Sequence, residues 1–306
     1  MSSRFDVAIV GGGPAGLSAA IFLARYLHSV ALIDSGDPRN WETRAVNGFL
    51  GSPTVRPAEL RANGREQARQ YGATLIDDCV HRVQKLSDDQ FVLTMHSGDD
   101  CDARRLLLAI GLRDVWPDIP GLDRAYGETA HVCPDCDGYE ARDKKTVVIG
   151  TGRKAVCMAL NLSTWTRDLI ICTNGLPPAM DEPAYCAKLD ALNIPVLTEK
   201  VKCARVQQGR VYCLELESGM ELDTEKIFFA IGQYPADDLG GQLGCKRDAG
   251  GHIVVDRHYH TSVYNVFAAG DIVPGSQLAI AGAADGAIAA LSIHKSLVPE
   301  MQKLSL

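Results

Sequence analysis

A glycine-rich turn near the N-terminus constrains the fold more than any other feature of the sequence. The turn, Gly11-Gly12-Gly13-Pro14-Ala15-Gly16, follows the apolar run Phe5–Val10 and precedes a small-residue segment from Leu17 to about Leu27. A second apolar run, Ser29–Ile33, then ends at Asp34. Two apolar runs with a helical segment between them predict a strand, a turn, a helix and a second strand.

The spacing of the glycines in this turn is typical of a dinucleotide-binding unit. Gly11 permits the tight turn, Gly13 lets the backbone approach a pyrophosphate, and Gly16 allows the helix to pack closely on the strand. The start of the helix offers free N–H groups and the positive end of a dipole to the phosphates. Asp34 stands 23 residues after Gly11, at the end of the next strand, where it can bond a ribose hydroxyl.

A second unit of the same kind lies near the middle of the chain. Its predicted parts are a strand at Thr146–Ile149, a turn at Gly150-Thr151-Gly152, a helix from Arg153 to about Leu162, and a strand at Leu169–Cys172. Both units lead to an apolar run closed by Ala-Ile-Gly, at 109–111 and 230–232. We therefore interpret the chain as an α/β protein with two Rossmann-like dinucleotide-binding domains, the second inserted into the first in a three-layer ββα arrangement. The predicted domains are 1–115 with 246–306, and 116–245, with a return linker at Gly240–Gly244.

Charge and hydropathy argue against several classes of partner. The 306 residues carry a formal net charge of −7, whereas nucleic acid and anionic membranes both favour a basic surface. The longest apolar stretches, about 10 residues, fall well short of the ~20 that a membrane span requires. The N-terminus lacks the pattern of a secretory signal. We therefore expect a cytoplasmic protein with neither a nucleic-acid nor a membrane partner.

The C-terminal part indicates which dinucleotide the first domain prefers. An apolar strand at Val266–Ala269 ends in Gly270-Asp271, and Gln277 and a small-residue helix from about Ile280 to Leu291 follow. An aspartate after such a strand can bond the ribityl chain of a flavin. The start of the last helix can direct its N–H groups at the flavin ring, which favours negative charge on the reduced ring. This arrangement favours FAD over NAD.

The redox chemistry is predicted at Cys133 and Cys136, the only CxxC pair among ten cysteines. Two cysteines with this spacing at the start of a helix can form a strained, reducible disulfide, and the helix dipole stabilises a thiolate there. We interpret the other eight cysteines as core or surface thiols. A metal site would need more ligands than His131 adds, so no metal is expected, and we interpret His131 as a structural or solvated residue.

The order and spacing of these elements resemble the low-molecular-weight thioredoxin reductase family over nearly the whole chain. The matching elements are Gly11–Gly16, Asp34, Cys133–Gly138, Gly150–Ala155, Ala230–Pro235, and Val266–Asp271 with Gln277. The resemblance implies an FAD domain interrupted by a pyridine-nucleotide domain that carries the CxxC. It also implies a homodimer, a large rotation between the domains during turnover, and thioredoxin or another disulfide as substrate.

The resemblance also implies roles for individual residues. Cys136 would lie nearer the flavin and receive its electrons, and Cys133 would be the outward thiolate that attacks the substrate disulfide. Asp137 matches the acid that protonates the leaving thiolate. The residues that the resemblance assigns to FAD are Gly11, Gly13, Pro14, Ala15, Gly16, Asp34, Asn47, Ala109, Gly111, Gly270, Asp271, Gln277, Leu278 and Ala279.

The second glycine turn departs from the family pattern. The motif Gly150–Ala155 satisfies the fingerprint, but the position 23 residues after Gly150 is Thr173, where no acid stands to hold an NAD ribose. A basic cluster for the 2′-phosphate of NADPH is also missing from this segment, which reads Cys172-Thr173-Asn174-Gly175. The remaining candidates for nucleotide binding are Gly150, Gly152, Arg153, Lys154 and Ala155.

Three explanations of this departure stay open at this point. Arg153 and Lys154 can grip the nucleotide from another side, NADPH can bind weakly, or electrons can reach the flavin from another donor such as ferredoxin. Ferredoxin-linked and deep-branching cyanobacterial forms of the family depart in this way. Gliotoxin-oxidase-like relatives also resemble the chain around Asp137–Glu140.

Three functions compete accordingly. The leading hypothesis is a disulfide reductase that acts on thioredoxin or a thioredoxin-like protein. The same chemistry in reverse would make a dithiol oxidase, which closes a small-molecule disulfide and passes electrons to oxygen. A flavoprotein without a donor would instead be a non-catalytic redox sensor.

Overall fold

The computed structural model describes residues 4–40, 42–180 and 182–303. They form two compact units, the first of Met1–Trp41, Phe49–Arg113 and Gln233–Leu306 and the second of Glu42–Gly48 and Asp114–Gly232. The chain thus returns to the first unit at Gln233, earlier than the predicted boundary at residue 246. The short segment Glu42–Gly48, which we placed in the FAD domain, belongs to the second unit.

Strands and helices alternate in parts of the described chain, and two stretches consist of successive strands with no α-helix between them. The strands are β1 (Phe5–Val10), β2 (Val30–Ile33), β3 (Thr74–Ile76), β4 (Val80–Ser87), β5 (Gln90–Met95), β6 (Asp100–Leu108), β7 (Leu112–Asp114), β8 (Ala130–His131), β9 (Thr146–Gly150), β10 (Leu169–Cys172), β11 (Val196–Leu197), β12 (Val201–Gln207), β13 (Arg210–Leu216), β14 (Glu221–Asp223), β15 (Lys226–Ala230), β16 (Gln233–Pro235) and β17 (Val266–Ala268). The α-helices are α1 (Pro14–Arg25), α2 (Pro57–Gln70), α3 (Pro134–Asp137), α4 (Gly152–Leu162), α5 (Pro183–Ala191), α6 (Leu239–Gln242) and α7 (Ala279–Leu297). Short 3-10 helices occupy Leu122–Ala125, Tyr139–Ala141 and Glu300–Gln302.

The first unit is built on a seven-stranded sheet in the order β3-β2-β1-β6-β5-β4, with β17 also paired to β6. Strands β1, β2, β3, β6 and β17 pair in parallel, whereas β4, β5 and β6 pair antiparallel. Strands β2 and β17 are apolar and buried along their whole length, as expected for strands covered on both faces. Along β1, Ala8 and Val10 enter one core cluster, and Val7 and Ile9 enter the other.

The second unit contains a parallel sheet in the order β11-β10-β9-β15-β8 and an antiparallel sheet in the order β12-β13-β14. Side chains of β9 again alternate between two core clusters, with Val147 and Ile149 in one and Val148 in the other. Helix α4 packs Ala155, Val156 and other small or apolar residues into the second of these clusters. The predicted α/β class with parallel sheets is confirmed.

Two sequence-based expectations about elements are wrong. The segment Gly240–Gly244 is not a linker, because Leu239–Gln242 forms a helix in the first unit and Leu239 is buried in its core. The last helix ends at Leu297 rather than near Leu291, since Ser292 and Ile293 are buried and Leu297 packs against the core. Within the described ranges, no helix is long and apolar enough to cross a membrane.

Candidate active site

The first glycine turn joins β1 to α1 in a conformation that other residues would not tolerate. Gly11 has φ +106°, and a Cβ atom on it would lie 2.2 Å from the carbonyl oxygen of Ala109. A Cβ on Gly16 would lie 1.9 Å from the oxygen of Gly11, so the helix contacts the turn backbone directly. Around Gly13, by contrast, no described atom lies within 4 Å of the Cβ position. The turn therefore leaves open space beside Gly13, where a pyrophosphate would approach the start of α1.

Asp34 directly follows β2 and lies beside this turn. Its carboxylate is buried, and its Oδ2 would lie 2.1 Å from a Cβ on Gly12. Two arginines of α2 bond the same oxygen: Arg61 makes a short contact, and Arg65 Nη1 donates at 3.1 Å. An open cavity of about 560 Å³ adjoins these three side chains. Neither arginine is among the residues predicted from the sequence, although their spacing of four on a polar helix places them on one face.

The predicted FAD residues from the C-terminal part lie in the same unit as the first turn. Gly270 has φ +79°, and a Cβ on it would lie 2.9 Å from the Cβ of Ala15, so the end of β17 adjoins the start of α1. Leu278 is the N-cap of α7, which begins at Ala279. Gly111 has φ +69° with no described atom within 4 Å of its Cβ position.

A polar cluster beside β17 links residues that are far apart in the sequence. Arg39 Nη1 donates to Gln277 Oε1 at 2.8 Å and to Asp271 Oδ2 at 3.4 Å. The side-chain amides of Gln277 and Gln233 bond each other at 2.9 and 3.1 Å. These contacts hold Asp271 and Gln277, two of the predicted flavin-binding residues, in defined positions. The sequence analysis did not identify Arg39 or Gln233.

The first unit presents groups suited to each part of FAD. It combines a glycine turn with open backbone, the uncapped start of α1, a buried acid at the end of β2 and a second helix start at Ala279. These groups suit a pyrophosphate, a ribose and a flavin in turn. The residues present fit the cofactor. Asn47 lies in the second unit, where its Nδ2 donates to the carbonyl oxygen of Cys136 at 3.1 Å. Its contact with FAD stays a prediction.

The CxxC pair forms a disulfide at the start of α3. Cys133 is the N-cap, its Sγ accepts a hydrogen bond from the backbone N–H of Cys136 at 3.1 Å, and the two Cα atoms are 5.3 Å apart. Both cysteines are half-buried. Asn161 of α4 donates to Asp135 at 3.1 Å and links α3 to α4. The local geometry is suited to a disulfide that opens and closes at a helix N-terminus.

The remaining cysteines are poorly suited to thiolate chemistry. Four of them, Cys101, Cys172, Cys213 and Cys245, are buried. Burial raises the pKa of the Cys101 thiol to about 11, and the nearby Asp102 carboxylate acts in the same direction. Cys157 and Cys186 are exposed but stand alone. No group of three metal-ligating side chains occurs among the residues that the structure describes.

The second glycine turn keeps only part of the pattern that binds a pyridine nucleotide. The backbone N–H of Gly152 at the start of α4 donates to the carbonyl oxygen of Pro178 at 2.8 Å. Thr173, which stands where a ribose-binding acid is expected, is fully buried and donates to the oxygen of Leu176 at 2.6 Å. A carbonyl oxygen in the loop after β10 therefore accepts the hydrogen bond of the Gly152 amide, which a pyrophosphate would otherwise accept.

The basic residues of this turn lie at the start of α4. Arg153 and Lys154 are exposed on the first turn of α4, whereas Ala155 is buried in the core. Lys154 Nζ donates to the carbonyl oxygen of Ile231 at 3.5 Å, and Gly150 packs against Ala230, where a Cβ would lie 2.8 Å from its oxygen. Among the described residues, this site fits the nucleotide only partly.

Comparisons with known proteins agree with the geometry of both units. A family model described as "Pyridine nucleotide-disulphide oxidoreductase" matches residues 5–286. The chain is 32% identical to thioredoxin reductase tcpT of Claviceps purpurea, over 88% of this chain and 87% of the relative. It is 28% identical to thioredoxin reductase of Helicobacter pylori, over 94% and 97% of the two chains. The crystal structure of HlmI superposes with a TM-score of 0.91 at 34% identity, covering 97% of this chain and 94% of HlmI.

Proposed function

Because the chain belongs to the pyridine nucleotide-disulphide oxidoreductase family, whose thioredoxin reductase-like members are FAD flavoproteins, we propose that Cys133 and Cys136 form its working disulfide. The observation that carries this proposal is the half-buried pair at the start of α3, with its thiol chemistry favoured by the helix N-terminus. Bound FAD would supply the two electrons that open the disulfide. Substrate thioredoxin, or another small disulfide protein, is supported by the names of the relatives alone.

The residues of the first unit that would hold FAD divide into three groups. Gly11, Gly13 and Gly16 form the turn for the pyrophosphate, with Pro14 and Ala15 at the helix start and Ala109 and Gly111 beside it. Asp34 would bond the ribose, after its carboxylate exchanges part of its contact with Arg61 and Arg65. Asp271, Gln277, Leu278 and Ala279 would face the flavin, with Gly270 providing the turn before them.

The exchange with substrate uses the side chains of α3. The Cys133 thiolate attacks one sulfur of the substrate disulfide, a new S–S bond forms, and the substrate S–S bond breaks. The leaving thiolate takes a proton from Asp137, and Cys136 then attacks Cys133 to release the second substrate thiol and close the Cys133–Cys136 disulfide. Asn47 holds the backbone of Cys136 through its 3.1 Å hydrogen bond.

We propose that the electron donor of this protein differs from the pyridine nucleotide that the family name implies. The Gly152 N–H bonds Pro178, and Thr173 replaces the ribose-binding acid. These contacts favour an electron donor other than NADPH. The donor would be reduced ferredoxin in a disulfide reductase, or the substrate dithiol itself in a dithiol oxidase, which runs the same chemistry in reverse. A homodimer is retained from the family resemblance, with analytical ultracentrifugation as its test.

The experiment uses the purified FAD-bound protein and three variants. After anaerobic reduction with dithiothreitol and desalting, we expect two additional titratable thiols in the wild type and none in Cys133→Ser or Cys136→Ser. Cys157→Ser is the matched control, since Cys157 is exposed on α4 and outside the pair; it should keep the gain of two. Flavin bleaching is then followed with NADPH, NADH and reduced ferredoxin, and oxygen uptake with small dithiols.

Two results would contradict the proposal. If the flavin-containing wild type gains no thiols on reduction, the pair is not a working disulfide. If Cys133→Ser reduces thioredoxin at the wild-type rate, the assigned role of that cysteine is wrong. Rapid, saturable bleaching by NADPH would separately refute the inference about the donor while leaving the disulfide assignment intact.

A further inference from the structure

Three buried ionisable side chains contact one another in succession, and one of them belongs to the CxxC helix α3. Lys226 begins β15, His131 ends β8, and Asp137 ends α3. Their exposed fractions are 9%, 5% and 9%. Lys226 Nζ lies 3.1 Å from His131 Nε2, and His131 Nδ1 lies 3.5 Å from Asp137 Oδ2. Of the two sequence-based interpretations of His131, structural or solvated, burial excludes the solvated one.

Burying these ionisable groups lowers the stability of the fold, which points to a functional reason for keeping them. Burying an ammonium and a carboxylate carries a desolvation penalty, and apolar residues of similar volume are often more stabilising. Burial lowers the pKa of Lys226, and the nearby positive charge of Arg210 acts in the same direction. Three carboxylates raise this pKa and partly offset the effect: Asp137, Glu140 and Glu128. Lys226 also donates to the carbonyl oxygen of Glu128 at 3.0 Å, which holds its side chain in place.

The partners determine which nitrogen of His131 carries the proton. An ammonium group has donors only, so Nε2 of the ring accepts from Lys226. A neutral ring then carries its proton on Nδ1, the atom that faces Asp137. A carboxylate has acceptors only. Donation therefore runs in one direction, from Lys226 through His131 toward Asp137.

We propose that Lys226 and His131 are positioning residues that return a proton to Asp137 during thiol–disulfide exchange. This proposal rests on the proposed function. Once Asp137 has given its proton to the leaving thiolate, its carboxylate takes the proton from His131 Nδ1, and Nε2 takes one from Lys226 Nζ. The neutral Lys226 amine then regains a proton from water. The net transfer is one proton from water to the leaving sulfur, with no change in the electron count.

The choice of leaving group separates this role from a structural one. A thiolate of high pKa needs a proton as it departs, whereas the thiolate released from 5,5′-dithiobis(2-nitrobenzoate) departs without one. A general acid accelerates exchange with a leaving thiolate of high pKa by about 10²–10⁴-fold. Loss of its proton supply should therefore slow only exchange with a disulfide such as bis(2-hydroxyethyl) disulfide. Damage to the shape of the CxxC helix would slow both reactions.

The experiment measures both exchange rates on protein reduced with dithiothreitol and desalted, so that no electron donor is needed. In His131→Gln and Lys226→Gln we expect exchange with bis(2-hydroxyethyl) disulfide to fall on the order of tenfold or more. Exchange with the aromatic disulfide should stay within about twofold, since it needs no general acid. Asp137→Asn should show the same selective loss. Lys144→Gln is the matched control, because Lys144 lies in the same unit but is half-exposed and pairs with Glu225 at 2.9 Å; it should change neither rate.

Each outcome is decisive. Equal slowing of both reactions, or no slowing in either variant, overturns the relay while leaving the working disulfide in place. Wild-type protein that reacts with neither disulfide overturns the proposed function and the relay together. For variants that do not fold, the wild-type ring is examined by ¹⁵N NMR, and its signals are assigned by replacing each of the other histidines with Gln in turn. A ring protonated on Nε2 rather than Nδ1 overturns the proposal.

Discussion

Two glycines of α7 provide a matched test of how closely the helices of the first unit pack. Gly282 and Gly286 are both buried in the interior of this helix. A Cβ on Gly286 would lie 1.9 Å from the carbonyl oxygen of Ala15, whereas the nearest atom to a Cβ on Gly282 is Gly270 Cα at 3.8 Å. Ala15 belongs to the first turn of α1, so the same contact bears on the predicted pyrophosphate site.

The expected magnitudes follow from two opposing effects. Replacing an interior helical glycine by alanine stabilises a helix by about 1 kcal/mol. At Gly286, however, the backbone must move by 3.4 − 1.9 = 1.5 Å to reach ordinary van der Waals contact, and overpacking of this kind costs about 3 kcal/mol or more. We therefore expect Gly286→Ala to destabilise the protein by about 2 kcal/mol and Gly282→Ala to stabilise it by about 1 kcal/mol.

The assay is urea unfolding of the FAD-bound variants, followed by flavin fluorescence as the report of the first unit and by circular dichroism. The difference of about 3 kcal/mol between the variants corresponds to roughly a hundredfold change in the unfolding equilibrium. Gly286→Ala should also weaken FAD binding, because the start of α1 must shift, whereas Gly282→Ala should not. Equal unfolding midpoints in the two variants would refute the reasoning.

Three further predictions concern the rest of the chain. At pH 8 the exposed Cys157 should be alkylated long before Cys101, whose pKa burial raises to about 11, as followed by peptide mass spectrometry. Hydrogen bonds from Lys202 and then Arg205 lower the pKa of Glu215 from 4.5 to about 2. Its stabilising contribution is therefore complete above pH 4.5 and lost as the pH falls through about 2, so Glu215→Gln should lower the urea midpoint at pH 7 but not near pH 2. A Cβ on Gly138 would lie 2.5 Å from a backbone oxygen of α3, so Gly138→Ala should displace the CxxC helix and slow exchange with both test disulfides alike.

Local features of the chain could be predicted because their causes are local. The turn after β1 needs a positive φ at Gly11 and open space at Gly13, and only glycine meets both demands cheaply. The alternation of apolar residues along β1 and β9 follows from strands that are covered on both faces. The spacing of Cys133 and Cys136 by itself allows the disulfide that the structure contains.

Contacts between distant segments could not be predicted, because they depend on which strands pair and in which register. Parallel pairing of β8 with β15 sets Phe228 opposite His131, and this register brings Lys226 to the histidine ring. The loop after β10 reaches Gly152 only because β9 and β10 are neighbours in the sheet. In both cases the sequence supplied the chemical groups, and the pairing of strands decided which of them meet, since hydrogen bonds and ion pairs act only over a few ångströms.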